Sequence, residues 1–383
     1  MSWKMRSGTP CWDLCQGIEG GQVHTMHIAN LFETEPALRE KARNLKAEPD
    51  GPFPILSAKI KLTWQCNLRC LMCTIWREPR TKGQAIHLPP DIVKQVLSHL
   101  KEKGLRKIHF SGGEVLLYKG FKDVVAFARS LGLQVNLTTN GTLITKDLAR
   151  FFVEERVHTV TVSLDGPDAE THDRIRGVKG AFKATVNGMA LMAARKLKKG
   201  RGPIIAVNTV VSRKTMDLLD AMYDLLCETK VQAWRILPID TEIRSLRPTQ
   251  SQWEAMFTKV PAWSHLLSRL PLDWSSERSG HRAEGGKYAG LFYGDRVCFA
   301  PWFNLFVDAD GRVYPCCNGK QDMRPYGNLN EIPAPQALES QVRREIRYSM
   351  ASGHPFPICD CCDDFLEENQ AFHLLSMKKG VAS

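Results

Sequence analysis

Six short β-rich runs alternate with helix-like stretches through the middle of the chain, at Ala58–Thr63, Lys107–Ser111, Gln134–Thr139, His158–Leu164, Ile204–Val211 and Gln232–Leu237. Between them lie segments such as Pro90–Lys103, followed by Gly104, and Ala181–Lys199, closed by Gly200. Strands that alternate with helices pair in parallel through right-handed crossovers, so the expected fold class is α/β. A parallel sheet presents its chemistry at the C-terminal ends of its strands, whether it stays open or curls into a barrel. The polar motifs fall there: the first run ends just before Cys66, the second runs into Ser111-Gly112-Gly113-Glu114, the third into Thr138-Thr139-Asn140-Gly141, and the fourth into Ser163-Leu164-Asp165-Gly166.

Composition narrows the class further. The chain has 383 residues, 43% hydrophobic and 24% charged, which excludes intrinsic disorder and a fibrous fold. No run reaches the roughly 18 unbroken apolar residues of a membrane span. Twelve cysteines in this length are too sparse for a disulfide scaffold, and the N-terminus lacks the apolar stretch of a signal peptide, so reduced thiols and a cytoplasmic location are expected. The net charge of +11 admits a nucleic acid or a phosphorylated partner without demanding one. The basic run Arg195–Arg201 sits at a helix C-terminus, where cations complement the macrodipole, and is read as a solvated helix end.

The cysteines are grouped. Cys66, Cys70 and Cys73 form one cluster, and Cys298, Cys316, Cys317, Cys359, Cys361 and Cys362 another, with only Cys227 between them. Two such groups around a cysteine-poor middle point to two metal or redox centres. Cys227 lies in an apolar helical run and reads as core, and Cys11 and Cys15 as free thiols. Three thiols at CxxxCxxC spacing suit an iron–sulfur cluster or zinc with one position left open for a ligand. A structural zinc site wants a fourth ligand close by, and the nearest histidine, His87, has no matching partner.

These motifs, in this order, resemble the radical S-adenosylmethionine (SAM) superfamily over about residues 57–275. The resemblance implies a partial (β/α)6 TIM-like barrel, with a 4Fe–4S cluster on Cys66, Cys70 and Cys73 whose open iron binds SAM. It further implies reductive cleavage of SAM to a 5′-deoxyadenosyl radical that abstracts hydrogen from substrate, with the electron coming from a reductant such as flavodoxin or ferredoxin. Gly112-Gly113-Glu114 resembles the family segment that binds the methionine amino group: two glycines admit a close backbone approach and a carboxylate accepts from an ammonium. Thr138, Asn140, Ser163 and Asp165 resemble positions that contact the ribose or the methionine carboxylate, with turn and cap roles as the alternative. Asn208 and Arg213 are weaker candidates for the same pocket. The chain departs from the family in having Met72 where an aromatic is common and Val115 where proline usually follows the glutamate.

From about residue 280 the pattern changes to short strands, glycines and cysteines, giving expected domains of 1–56 (an N-terminal extension), 57–280 (the barrel) and 281–383 (a small α+β domain). Asp308–Cys316 reads as a hairpin that delivers a cysteine after its turn glycine. With the Cys359/Cys362 pair it resembles the SPASM and twitch extensions of radical SAM enzymes, which implies one auxiliary 4Fe–4S cluster on Cys298, Cys316, Cys359 and Cys362. Cys317 and Cys361 compete as ligands, with the spacing favouring Cys316, Cys359 and Cys362, and zinc on the same four thiolates is the alternative, since spacing by itself does not name the metal. An auxiliary cluster that accepts an electron makes a net oxidation the expected reaction, and oxidation needs a base. Arg235 and Asp240, near the end of the sixth run, are the candidates, with salt-bridged structural roles as the alternative. The 56-residue extension is short for the leader-binding domain of many peptide-modifying relatives, so a small-molecule substrate is expected, with a peptide or protein side chain as runner-up. RNA modification and a non-catalytic iron–sulfur or zinc protein are the remaining readings.

Overall fold

The computed structural model describes residues 31, 34–77, 86–239, 241, 243–269, 296–362 and 365–377. Its strands are β1 (Ser57–Thr63), β2 (Lys107–Gly112), β3 (Gln134–Thr139), β4 (Thr159–Ser163), β5 (Ile204–Val211), β6 (Ala233–Pro238), β7 (Leu267–Arg269), β8 (Asn304–Val307), β9 (Arg312–Tyr314) and β10 (Gly327–Asn328). The first six fall where the alternation placed them, with ends moved by no more than one residue. They form a single sheet in the order β10-β9-β8-β1-β2-β3-β4-β5-β6-β7, with β1 to β7 parallel to their neighbours.

One face of these strands is the core. Ile60, Phe110, Leu137, Val160, Val207 and Ile236 alternate along the strands and are completely buried, beneath helices that turn a matching stripe inward. In the helix Pro90–Glu102 that stripe is Val93, Val96, Leu97 and Leu100; in Ala181–Lys199 it is Ala181, Thr185, Gly188, Met189 and Met192. Each such aliphatic side chain contributes about 1.5–3 kcal/mol by leaving water. Cys227 is buried in the same core, and the basic run is a helix end, with Gly200 left-handed at φ +65° and Lys196 donating to the Pro203 carbonyl.

The opposite face carries the other residues of the alternation: Lys59 and Lys61 on β1, His109 and Ser111 on β2, Asn136 and Thr138 on β3, Thr161 and Ser163 on β4, Asn208 on β5 and Arg235 on β6. Register confirms that they share it, because Lys59 pairs with His109, His109 with Asn136, Thr138 with Thr161, Ser163 with Asn208, and Asn208 with Arg235. His109 Nε2 lies 2.9 Å from Thr138 Oγ1. Arg235, four strands away, is close enough to oppose protonation of His109. The sheet is therefore curled, and this face is the lumen of a partial TIM-like barrel.

The C-terminal segment continues this sheet. β8 runs parallel to β1 and turns through Asp308–Gly311 into antiparallel β9, the expected hairpin, with Gly311 at φ +88°. Ser57 Oγ donates to Asn304 Oδ1 at 2.6 Å and Trp64 Nε1 to Asp308 Oδ1 at 2.6 Å. The end of the N-terminal extension is anchored to the same region: Trp302 Nε1 donates to the Pro49 carbonyl at 2.8 Å, and Phe53 packs 5.8 Å from Phe372. The expected boundary near 280, and Cys11 and Cys15, lie outside the described residues.

Candidate active site

The loop from Trp64 to Thr74 leaves β1 with the three clustered cysteines and is fastened from two sides. On one side, the Gly113 and Glu114 amides donate to the Thr63 and Gln65 carbonyls, both at 2.7 Å. A Cβ on Gly113 would sit 2.3 Å from the Gln65 carbonyl oxygen, and one on Gly112 would sit 2.4 Å from that of Thr63. The two glycines are thus needed for the chain's own close approach to the cluster loop. On the other side, the Arg69 and Leu71 amides donate to the Arg176 and Ile175 carbonyls at the end of the helix Ala169–Arg176. Gly177 follows at φ +71°, where a Cβ would meet the Arg69 carbonyl at 2.4 Å.

Glu114 ties the ends of β2 and β3 together. It is completely buried and its carboxylate accepts from the Leu116 amide (3.0 Å), Thr139 Oγ1 (2.6 Å) and the Asn140 amide (2.7 Å). Burial pushes its pKa up, and those three donors act against the rise. One oxygen takes the Leu116 and Thr139 donors and the other the Asn140 amide alone, so the carboxylate joins the ends of β2 and β3 and keeps room for a further donor. Asn140 continues the clasp, donating from Nδ2 to Asn67 Oδ1 at 2.8 Å, and Asn67 Nδ2 donates to Thr142 Oγ1 at 2.8 Å. Asn67 lies inside the CxxxCxxC motif, so Asn140 holds the cluster loop.

Asp165 is likewise committed. Its buried carboxylate lies 2.7 Å from the Arg176 guanidinium and accepts from the Val210 amide at 2.9 Å. Arg176 reaches in the other direction to Cys70 Sγ at 3.6 Å. Burial works against the Arg176 charge, but the Asp165 carboxylate and the Cys70 sulfur outweigh it and hold the guanidinium cationic. Burial pushes the Cys66 thiol up to about 11 and raises that of Cys70, while Arg176 pulls the latter back down. Cys70 and Cys73 further raise Cys66, and Cys73 further raises Cys70, which places the three sulfurs about a common space.

Ser163, Asn208 and Arg235 form a row on β4, β5 and β6 in the upper lumen. Thr138 faces the same lumen, tied to His109. Arg213 does not join them, since its Nε donates to the Arg247 carbonyl at 3.0 Å. Asp240 lies outside the described residues.

Cys298, Cys316, Cys359 and Cys362 line one cavity whose remaining wall includes Ala300, Pro301, Pro315, Met323, Ile358 and Phe365. Three of these sulfurs accept hydrogen bonds, from Asn369 Nδ2 to Cys298 (3.4 Å), from the Gly319 amide to Cys316 (3.3 Å) and from Asn318 Nδ2 to Cys362 (3.5 Å). Cys317 does not line the cavity, and the side chain of Cys361 lies outside the described residues. Among the described residues no three Cys, His, Asp or Glu side chains converge on a point where a single ion would sit. A cubane takes one thiolate at each iron corner, so sulfurs spread around an apolar cavity and met by N–H donors fit that group.

Residues 60–226 match the family model of the radical SAM superfamily, and residues 298–363 that of an iron–sulfur cluster-binding domain, SPASM. An AdoMet-dependent heme synthase of Methanosarcina barkeri is 32% identical over 303 residues, 75% of this chain and 83% of that protein. The chain belongs to the radical SAM superfamily. Mycofactocin maturase MftC of Mycolicibacterium smegmatis is 28% identical over 81% of this chain and 77% of its own length. The Streptococcus suis SuiB structure bound to S-adenosylmethionine shares the fold, with a TM-score of 0.60 at 15% identity over 87% of this chain and 75% of that one. A radical SAM domain implies a 4Fe–4S cluster and SAM, and the SPASM domain an auxiliary iron–sulfur cluster.

Sequence reading missed several residues of this radical SAM site. Arg176 stands just before Gly177, and only the fold reveals that it faces Cys70. Lys59 and Lys61 did leave a signal: two lysines two residues apart in an otherwise apolar strand of a parallel sheet must share one face.

Proposed function

We propose that this chain is a SAM-cleaving oxidase of a small molecule held in the barrel lumen, with Cys66, Cys70 and Cys73 holding the SAM-binding cluster and Cys298, Cys316, Cys359 and Cys362 the auxiliary one. The bound groups supply the chemistry: one-electron cleavage of SAM to a 5′-deoxyadenosyl radical that takes hydrogen from substrate, and an acceptor for the electron that the substrate then gives up. The chain's own residues position and exclude. Gly112 and Gly113 offer backbone to the methionine amine, Asn140 and Glu114 hold the cluster loop, and Ser163, Asn208 and Thr138 line the route from cluster to substrate. Arg235 lies on the lumen face of β6; as a guanidinium it serves to orient an anion, and the base is left to Asp240.

The observation that carries the small-molecule reading is the lumen itself, whose polar residues lie along the interior of the strands. The relatives support two classes, since one is named a heme synthase and another a peptide maturase. Extract from cells grown in heavy water, split into small-molecule and peptide fractions and given to the reconstituted enzyme without oxygen, separates them. Deuterium entering 5′-deoxyadenosine with the small-molecule fraction supports the proposal; transfer confined to the peptide fraction makes the chain a maturase.

A further inference from the structure

Two arginines stand together beside the auxiliary cavity. Arg343 and Arg347 lie one turn apart on the helix Gln341–Ala351, which also turns Met350 into the cavity wall. Arg347 is buried. Its Nε donates to the carbonyl of Pro301, a cavity-lining residue, at 3.3 Å, and its guanidinium lies 5.8 Å from the Trp302 ring. Arg343 donates from Nη1 to the Leu338 carbonyl at 3.0 Å, while its Nε and the buried Tyr326 hydroxyl have no hydrogen-bond partner. Tyr326 links the pair to the cluster ligands, since both arginines and Cys316 act on its phenol. Among the described residues no Asp or Glu comes within ion-pair distance of either arginine. Asp50 acts on both only from the exposed end of the N-terminal extension. Glu345 is taken by Arg324, and Asp322 by the Ile358 amide at 2.6 Å. Burial pushes Arg347 down to about 9, with Arg343 adding to the fall and Tyr326 and Asp50 opposing it, which leaves the guanidinium charged at neutral pH.

A buried charge without a counter-charge is costly, and two like charges one turn apart on a helix repel. Such a pair is stable next to an anion. A 4Fe–4S core on four thiolates is one, since it carries net negative charge and gains more on reduction. We propose that Arg343 and Arg347 are the counter-charge of the auxiliary cluster and raise its midpoint potential, which fits it to accept the substrate's electron. Nearby cations stabilise the reduced cluster more than the oxidised one, because reduction adds negative charge. The balance differs at the SAM-binding loop, where the guanidinium beside Cys70, that of Arg176, is paired with Asp165 at 2.7 Å and so has a smaller net field. In the transfer this favours, the substrate radical loses one electron, the acceptor gains it, and the substrate's proton goes to the base. The proposal deepens the oxidase reading and rests on its assignment of Cys298, Cys316, Cys359 and Cys362 to a cluster.

The test uses the full-length chain with Cys66, Cys70 and Cys73 replaced by alanine, reconstituted without oxygen so that only the auxiliary site loads, and a redox titration followed by electron paramagnetic resonance. Arg347→Gln keeps a donor for the Pro301 carbonyl but removes the charge. At the parent's midpoint its reduced-to-oxidised ratio should fall about tenfold, which is a shift of about 59 mV to more negative potential for one electron. Arg347→Lys keeps the charge and should restore most of the midpoint, which a purely structural role would not allow. Arg343→Gln leaves the contacts with Pro301 and Trp302 in place and should shift the midpoint in the same direction, so the test stands even if Arg347→Gln loads no iron. Parental midpoints in the loaded glutamine variants, or a lysine variant shifted as far as the glutamine one, overturn the proposal. Failure of the underlying assignment shows separately, as a parent protein that takes up no iron or holds zinc in its place.

Discussion

Arg176→Met removes the one guanidinium that joins the cluster loop to the β4 end. In the native protein it lies 2.7 Å from Asp165 and 3.6 Å from Cys70 Sγ, with both side chains of the ion pair almost fully buried. Removing one partner of a buried pair strands the other charge at a cost of about 3–5 kcal/mol. A chain of 383 residues gains roughly 0.8 kcal/mol per degree in unfolding entropy, so the melting point should fall by about 4–6 °C. Calorimetry of the reconstituted protein measures this directly. The double variant Arg176→Met/Asp165→Leu removes both charges and should regain most of the loss, since a buried pair replaced by apolar groups is often neutral. The cluster's midpoint potential should also become more negative in Arg176→Met, because a cation beside a thiolate ligand favours the reduced cluster. A single variant that melts within a degree of wild type, or a double variant no more stable than the single, would refute the coupling.

Other perturbations separate the parts of the site. Gly113→Ala forces a Cβ to within 2.3 Å of the Gln65 carbonyl, and should cost the cluster-loop irons, about half the total, while the auxiliary irons stay; iron assay and electron paramagnetic resonance read the result. Replacing both Cys359 and Cys362 with alanine should do the converse, removing about four of roughly eight irons with SAM binding retained in equilibrium dialysis. Asn140→Ala breaks the clasp to Asn67 and should lower cluster occupancy more than overall stability, as shown by comparing iron content with melting point.

The strands were legible because their alternation survives in the sequence, and Cys66, Cys70 and Cys73 because ligand spacing within one loop is local. The structural partners of Glu114 and Asp165 were not legible. Both carry the polar strand-end signature of cofactor contacts, yet their partners, Thr139 and Asn140 for one and Arg176 and Val210 for the other, are distant in sequence and meet only once the sheet is ordered. The pairing of the C-terminal segment with the barrel sheet was not legible for the same reason. A change in local pattern near residue 280 says nothing of β8, which pairs with β1 across some 247 residues. The spacing already favoured Cys316 over the adjacent Cys317, and Cys316 is the one that lines the auxiliary cavity.

The most direct measurement is the yield of 5′-deoxyadenosine from SAM when the anaerobically reconstituted protein is reduced, compared between wild type and Cys70→Ala. The assignment of Cys66, Cys70 and Cys73 to the SAM-cleaving cluster predicts about eight irons in the wild type with release of 5′-deoxyadenosine and methionine, and loss of that release in Cys70→Ala with the auxiliary irons kept. Full iron loading with no SAM cleavage in the wild type, or cleavage that survives in Cys70→Ala, would contradict it.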